Sequence, residues 1–550
     1  FSPLPESMDG SRAEFHVTLQ AKETKRLIVS LFIAESTDLD KISSQPRYQP
    51  DLERIKAGLQ EDAAQWLGSH TEVRSDSLLL DNVMERSLRD LRVLRSEIEN
   101  QTFFAAGVPW FATLFGRDSI ITALQTLAYE PAIAEQTLRL LASYQGQKLD
   151  PLRDEQPGKI LHELRVGEMA RLGEIPHTPY YGTIDATALF LILLGRHAAW
   201  TGSLVLFNDL RSNIERALEW MSRCGDQNGD GYIEYHSDSK KGLANQGWKD
   251  SGDAIVNVDG SLAAPPISLV EVQGYAYSAK TSLAELYQRA GEPRRAEELR
   301  REAKELRARF NKDFWLEDKG IYALALQAGG KAAAVVSSNA GHALWSGIAD
   351  ADKAQRTAER LMAEDMFSGW GIRTLSKKER RYNPVGYHLG TVWPHDNSII
   401  AAGFRRYGLD DAVLRIFNGI VEAAMHFKHY QLPELFAGFS REDYGVPVHY
   451  PVACHPQAWA AVTVPYLVEN LLGLGAEAFE RRLRTVRPIL PDYIDQLEVR
   501  RLRVGSATAD LRFKRTSQGI VVDILKIDGQ LDVVVETDHE NSRRGENPAA

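Results

Sequence analysis

Between Leu79 and Gly473, apolar residues recur at spacings of three and four in long stretches. These stretches are opened by Ser, Thr or Asp and closed by Gly or Pro, a pattern that predicts about twelve helices. They fall near 79–100, 117–129, 131–146, 183–202, 204–224, 267–291, 294–313, 338–348, 351–363, 394–408, 411–428 and 455–473. The joints between them alternate in length. Those at Tyr129–Pro131, Thr201–Ser203, Gly291–Pro293, Ala349–Ala351 and Tyr407–Asp410 are short, as expected where antiparallel neighbours pack side by side. The others are far longer and rich in Trp, Tyr, Pro, Gly, Asp and His, a composition that argues for function and against disorder. Paired helices running up and down around a ring would bring every long joint to one end. The expected fold is therefore mainly α, an (α/α)6 toroid barrel with small β appendages at both ends.

The two ends follow a different period. Glu14–Leu19 and Leu27–Ile33 alternate or run apolar like strands, as do Leu497–Val504, Thr508–Phe513, Ile520–Ile527 and Leu531–Val535. This predicts four segments. Residues 1–45 are expected to be the tail of an N-terminal β domain that packs on the barrel. Residues 46–480 are expected to form the barrel, 481–538 a β appendage, and 539–550 a polar, disordered tail.

Composition narrows the function. A chain of 550 residues with 43% hydrophobic content can bury a large core. No apolar run reaches the roughly 18 residues needed to cross a bilayer, so no membrane partner is expected. With 65 Lys and Arg against 75 Asp and Glu, the balance is mildly acidic, which disfavours nucleic acid as a partner. The basic run Arg294–Arg309 is interleaved with Glu at helical spacing and reads as an ion-paired helix face. Only Cys224 and Cys454 are present, so no disulfide framework is implied and a cytoplasmic location is expected.

Two long joints carry unusual carboxylates. Asp250 follows Trp248 and Lys249 in the run Asn245–Asp253, and Glu434 lies in the apolar run Gln431–Phe439. A carboxyl flanked by apolar side chains pays for ionisation and can hold a proton near neutral pH. Two such groups across an aromatic-lined pocket suit glycoside hydrolysis, one protonating the departing oxygen and the other activating water. Each also has a purely structural alternative: Asp250 as a helix cap or partner of Lys249, Glu434 as a partner of Lys428 or Arg441. Trp110, Tyr181, Trp248, Trp370, Trp393 and Trp459 are candidates for stacking on sugar faces, although single aromatics more often fill a core. Arg117 and Asp118 are candidates for sugar hydroxyls or a structural ion pair, His395 is expected to face the pocket with Trp393, and Glu271 is a reserve ligand.

Several motifs in order resemble the amylo-α-1,6-glucosidase domain of glycogen debranching enzymes. They are Gly107–Asp118 (GVPWFATLFGRD), Tyr180–Thr187 (YYGTIDAT), Trp248–Asp250 (WKD), Leu432–Leu435 (LPEL) and His455–Trp459 (HPQAW), and the likeness spans roughly residues 80–475. The resemblance implies an (α/α)6 barrel and hydrolysis with inversion, with Asp250 as general acid and Glu434 as general base. It adds Phe111, Lys249 and Gln457 to the substrate-binding candidates and assigns Asp118 to the pocket for a terminal glucose. Related barrel glucosidases acting on mannosylglycerate-type substrates carry a Trp-x-Ser-Gly-x-Asp pattern, against which Asp253 can be aligned as an alternative acid. No companion transferase barrel is present, so two-step debranching of native glycogen does not follow.

The activity expected is release of glucose from an α-linked glucoside or oligosaccharide, with α-1,6 linkage favoured. A barrel glycosidase of another linkage or sugar, or a disaccharide phosphorylase, is the alternative. No cofactor is expected. Asp226–Gly231 matches the start of an EF-hand loop, but the twelfth position is Ser237 where a bidentate Glu is needed, and a tight turn is the preferred reading.

Overall fold

The computed structural model describes residues 1, 3–29, 52–176, 178–237, 239 and 241–537. They form two compact units, Phe1–Ser69 and His70–Ala550. The first contains a short hairpin, Ser7–Met8 against Ala13–Glu14, and a helix over Leu52–Ser69. The ladder is thus shorter than the strand expected over 14–19. Much of the strand expected at 27–33, and the tail expected after 538, lie outside the described residues.

The second unit holds the helices predicted from spacing: α1 (Leu78–Leu94), α2 (Gly116–Gln125), α3 (Pro131–Ser143), α4 (Ala186–Thr201), α5 (Arg211–Ser222), α6 (Val270–Arg289), α7 (Pro293–Asp313), α8 (Ala340–Ser346), α9 (Ala351–Leu361), α10 (Pro394–Arg406), α11 (Asp410–Ala424) and α12 (Thr463–Leu472). Local chemistry fixes many ends. The Ser77 hydroxyl caps α1, Pro opens α3, α7 and α10, and Gly202 and Gly347 close α4 and α8 with φ of 64° and 79°.

Burial sorts the helices into two kinds. Helix α4 is apolar on nearly every side and almost wholly buried. Helix α7 buries the apolar stripe Ala296, Leu299, Ala303, Leu306 and Phe310 together with Asn311, and its Arg and Glu residues form surface ion pairs. Contacts follow the same division. Helix α2 packs on α4, α4 on α6, α6 on α8, α8 on α10 and α10 on α12, and the cycle closes through α12 and the one-turn helix Ala458–Ala461 back onto α2. Helices α3, α5, α7, α9, α11 and α1 lie against members of that cycle.

Several predicted helices end or break early. The first stops at Leu94, where the chain enters a hairpin, Arg95–Ile98 against Gln101–Phe104, turned by Glu99 and Asn100 at positive φ. The stretch 204–224 breaks at Leu210 into Val205–Asp209 and α5. The stretch 411–428 ends at Ala424 and passes into a 3-10 turn at Lys428–Tyr430.

The C-terminal strands belong to the same compact unit as the helices. β1 (Glu72–Ser75) pairs antiparallel with β4 (Gln496–Val504), which pairs with β5 (Ala507–Thr516), which in turn pairs with β6 (Gly519–Asp528). A second sheet joins β2 (Leu474–Glu477), β3 (Arg482–Val486) and β7 (Asp532–Glu536), with β3 and β7 parallel. Arg405 at the end of α10 ties this region down, donating to the carbonyls of Asn470, Val486 and Arg487. Arg487 donates back to the carbonyl of Arg405, and both arginines pair with Asp410.

Candidate active site

The Trp-Lys-Asp segment is shaped by hydrogen bonds within its own long joint. Asn245 Nδ2 donates to the carbonyl of Ser251 at 2.7 Å, closing the loop, and Tyr235 donates to Asn245 Oδ1 at 2.7 Å. Trp248 is then held by rings: parallel to His342, and edge-on to His388, Trp393 and His395. Lys249 is buried and donates from Nζ to the carbonyl of Thr374 at 2.7 Å. Burial holds its pKa down, to about 8, against the pull of Asp396 and Glu271. With these two side chains turned inward, Asp250 is left partly open, its side chain 27% exposed.

Asp250 Oδ2 accepts from Arg117 Nη2 at 3.0 Å. The buried guanidinium also donates from Nη1 to Asp185 Oδ2 at 3.0 Å, and its Nε lies 3.9 Å from Asp118. Burial raises the Asp250 pKa to about 6, with Arg117 opposing and Asp185 reinforcing. Burial likewise raises Asp118 to about 7, against Arg117 and helped by Asp250 and Glu434.

Glu434 reaches the same region from a different joint. The backbone there is anchored by paired bonds between Phe436 and Val392 and by the Glu434 amide donating to the Cys454 carbonyl. The side chain is buried, with Oε1 accepting from the Tyr387 hydroxyl at 2.5 Å and Oε2 from the Cys454 amide at 2.9 Å. Burial raises its pKa, these two donors oppose the rise, and the charge of Asp250 adds to it. Asp118, Asp250 and Glu434 therefore lie within electrostatic reach of one another. An uncharged sugar would meet one carboxyl that retains its proton into mildly acidic solution and another held by two donors.

The other sequence candidates separate into groups. Trp110 stands at the surface, 54% exposed, its indole fixed to the Val452 carbonyl, and Phe111 is half-buried beside it. Trp393 is buried between Trp248, Tyr387, His388 and Trp459. His395 stacks on Trp459 at 3.8 Å, and burial keeps it neutral. Gln457 is buried with its amide between the Ala106 carbonyl and the Trp459 indole. Tyr181 donates its hydroxyl to the Tyr144 carbonyl, and Glu271 is wholly buried and accepts from Asn339. Tyr181, Lys249 and Gln457 are thus occupied by internal partners, while Glu271 pairs through Oε1 and keeps Oε2 buried without a hydrogen bond. Trp370 belongs to a separate cluster with Phe427 and Phe436. Asp253 is exposed, and its charge reaches Tyr450.

Asp185, Tyr387 and the Cys454 amide were not picked out by the motif reading. Asp185 lies inside the quoted Tyr180–Thr187 run, so its position was visible. Nothing in the spacing around Tyr387 marks it. Asp226 accepts from the amides of Gly229 and Gly231, and Asp230 from that of Tyr232, forming the tight turn preferred from sequence. Among the described residues no group of three or more His, Cys, Asp or Glu side chains is arranged to hold a metal, and no helix is long and apolar enough to cross a membrane.

A helical fold with these carboxylates in its long joints defines a class, and the chain is a glycoside hydrolase. A model of the mannosylglycerate hydrolase MGH1-like glycoside hydrolase domain matches residues 117–440, and the chain belongs to that family. No curated protein matches it in sequence. A GH78 family rhamnosidase of Bacillus sp. GL1 is 15% identical with a TM-score of 0.60, and the match covers 85% of this chain. The chain spans only 42% of that rhamnosidase's length. The GH63 mannosylglycerate hydrolase of Thermus thermophilus is 13% identical with a TM-score of 0.51, over 70% of this chain and 99% of that one. Such identities establish shared fold alone. The six-hairpin glycosidase family implied by the motifs is supported, and the narrower amylo-α-1,6-glucosidase assignment becomes a question of substrate.

Proposed function

We propose that this chain is an inverting, exo-acting glycosidase that releases glucose from an α-linked glucoside, with α-1,6 linkage first among the candidates. In this reading the helical cycle is an (α/α)6 barrel. Asp250 is the general acid and Glu434 the general base. The observation that carries the proposal is the mutual electrostatic reach of Asp250 and Glu434 from two separate joints, the first partly open and the second buried under two hydrogen-bond donors.

Asp250 donates its proton to the departing oxygen as the glycosidic bond breaks. Glu434 removes a proton from the water that attacks the anomeric carbon from the opposite face. Inversion requires the two carboxyls to stand about 6.5–9.5 Å apart so that a water fits; retention would bring them to about 5–5.5 Å. Trp110 and Phe111 are proposed to flank the substrate, and Asp118 to bind a terminal sugar hydroxyl. Asp253, exposed at the surface, is a weaker candidate for the acid. A phosphorylase would need an anion site where Glu434 stands, and a carboxylate there repels phosphate.

The family match favours one further reading, in which the substrate is a glycosyl glycerate. A panel of isomaltose, panose, kojibiose, trehalose, glucosylglycerate and mannosylglycerate separates the two. Asp250→Asn and Glu434→Gln should each lose at least about a hundredfold in turnover of whichever compound is cleaved. Near-normal turnover in either variant removes that residue from the mechanism. Proton NMR of the first product should show the β anomer from an α-glucoside, and early α anomer excludes inversion. Glucose appearing as glucose 1-phosphate in phosphate buffer would replace the hydrolase with the phosphorylase.

A further inference from the structure

We infer that Tyr387 is a positioning residue for Glu434: its hydroxyl, the one side-chain donor that the described residues give that carboxylate, fixes Oε1 so that the group stays ionised and aimed. The inference rests on the reading of Glu434 as the base. Three features of the geometry support it.

First, the Tyr387 backbone is held independently of its side chain. Its carbonyl accepts from Thr391 Oγ1 at 2.6 Å and from Trp393 Nε1 at 2.9 Å. Second, the ring is clamped by His388 at 4.6 Å, Trp393 at 4.9 Å and Tyr450 at 5.8 Å between centroids. A phenyl ring would satisfy all of those contacts, so packing does not require the hydroxyl. Third, that hydroxyl lies 2.5 Å from Glu434 Oε1. Burial and the adjacent negative charge of Glu434 keep the phenol protonated, so it acts only as a donor. The Cys454 amide holds the other oxygen.

The surroundings otherwise oppose ionisation of Glu434. Among the described residues, the charged or titratable groups that sense it are Asp250, Asp118, Tyr387, Tyr450 and the Cys454 thiol. None of them is a cation. Hydrogen bonds to the charged form are thus what the site offers to keep the base deprotonated. Removing one should move the protonation midpoint of Glu434 to higher pH.

Tyr387→Phe tests this directly. The Glu434 carboxyl carbon is followed by NMR in protein labelled at the Glu side-chain carboxyl, with Glu434→Gln identifying the signal by its loss. The midpoint should rise in Tyr387→Phe by about one pH unit, a tenfold change in proton affinity, and a midpoint unmoved from the wild type overturns the inference. This measurement needs no substrate, so it stands whether or not the glycosidase reading holds. On a compound that the wild type cleaves, the acid limb of kcat/KM should move up in step, KM should change less than about twofold and thermal melting should be preserved. A fall in rate with the acid limb in its original place overturns the inference and leaves Glu434 as base untouched. Failure of every glucoside and glycosyl glycerate to react counts against the functional reading alone.

Discussion

Asp250 is pulled in two directions. Burial raises its pKa to about 6, while the guanidinium of Arg117, 3.0 Å away, favours the ionised form. A general acid must arrive protonated, so kcat/KM should fall as the pH rises through about 6. Replacing Arg117 by Gln should carry that alkaline limb to higher pH, and a limb that stays in place would separate Arg117 from the acid. The same shift has a consequence for stability. The folded value lies above that of an unfolded Asp, so the contribution is fully present below about pH 4 and is lost as the pH rises through about 6. Asp250→Asn cannot ionise and should escape this loss. After discounting for partial exposure and the weakened Arg117 contact, the variant should be more stable than the wild type at pH 8 by about 1 kcal/mol, with no such gain at pH 4. Thermal melts at both values check it, and an equal difference at the two pH values would contradict the assignment of burial as the cause.

Helices were the most legible part of the sequence, because inner and outer members leave different apolar patterns and several ends carry a Pro, Ser or Gly. Legibility failed where partners far along the chain decide. The hairpin at Arg95–Phe104 depends on Glu99 and Asn100 adopting positive φ, which an apolar count does not register. The helix Leu52–Ser69 was missed although Leu52, Ile55, Leu59, Ala63 and Trp66 recur at steps of three and four, and it is exposed along most of its length. The candidate site shows the same limit. Asp250 and Glu434 stood out as carboxylates among apolar neighbours, whereas Lys249 and Tyr181 gave no hint that their polar ends would find backbone carbonyls. Close helix crossings are also invisible in sequence. A Cβ on Gly403 of α10 would stand 2.6 Å from the backbone nitrogen of Trp345 on α8, and one on Gly341 of α8 would stand 2.6 Å from a side-chain methylene of Ile400. Neither neighbour gives easily, since Gly403 faces helix backbone and Gly341 faces a buried β-branched side chain whose Cγ1, Cγ2 and Cβ all lie within 3.2 Å. Gly403→Ala and Gly341→Ala should therefore each lose about 1–3 kcal/mol in urea unfolding, the helix preference for Ala offsetting only part of the crowding. A loss near zero for either variant would mean that its crossing can open.

At the scale of the whole second unit, the strands after Gly473 serve the helices as well as each other. Arg405 and Arg487 exchange hydrogen bonds with each other's carbonyls and share Asp410, joining α10 to the segment that follows β3. Arg405→Ala should destabilise by about 2–4 kcal/mol, since it strands three partly buried carbonyls, and Arg487→Ala by less, since it strands one; each also leaves Asp410 short of a partner. The double variant should lose less than the sum, because the two act as one unit. Strict additivity in chemical denaturation would show them to be independent.

The pairing of β1 with β4 also bears on how the molecule is made. Asp76, at the end of β1, accepts from the amide of Gln496, a residue 420 positions further along. A ribosome therefore releases the first strand of that sheet, and most of the helical cycle, long before the partner emerges. Until then the nascent chain holds an unmatched strand edge beside an unclosed apolar wall, the kind of surface that chaperones bind and that aggregates when left bare. Expression of this protein should depend on how quickly residues 474–536 follow the helices, and slow codons placed within that stretch should cost more soluble product than the same codons placed ahead of it.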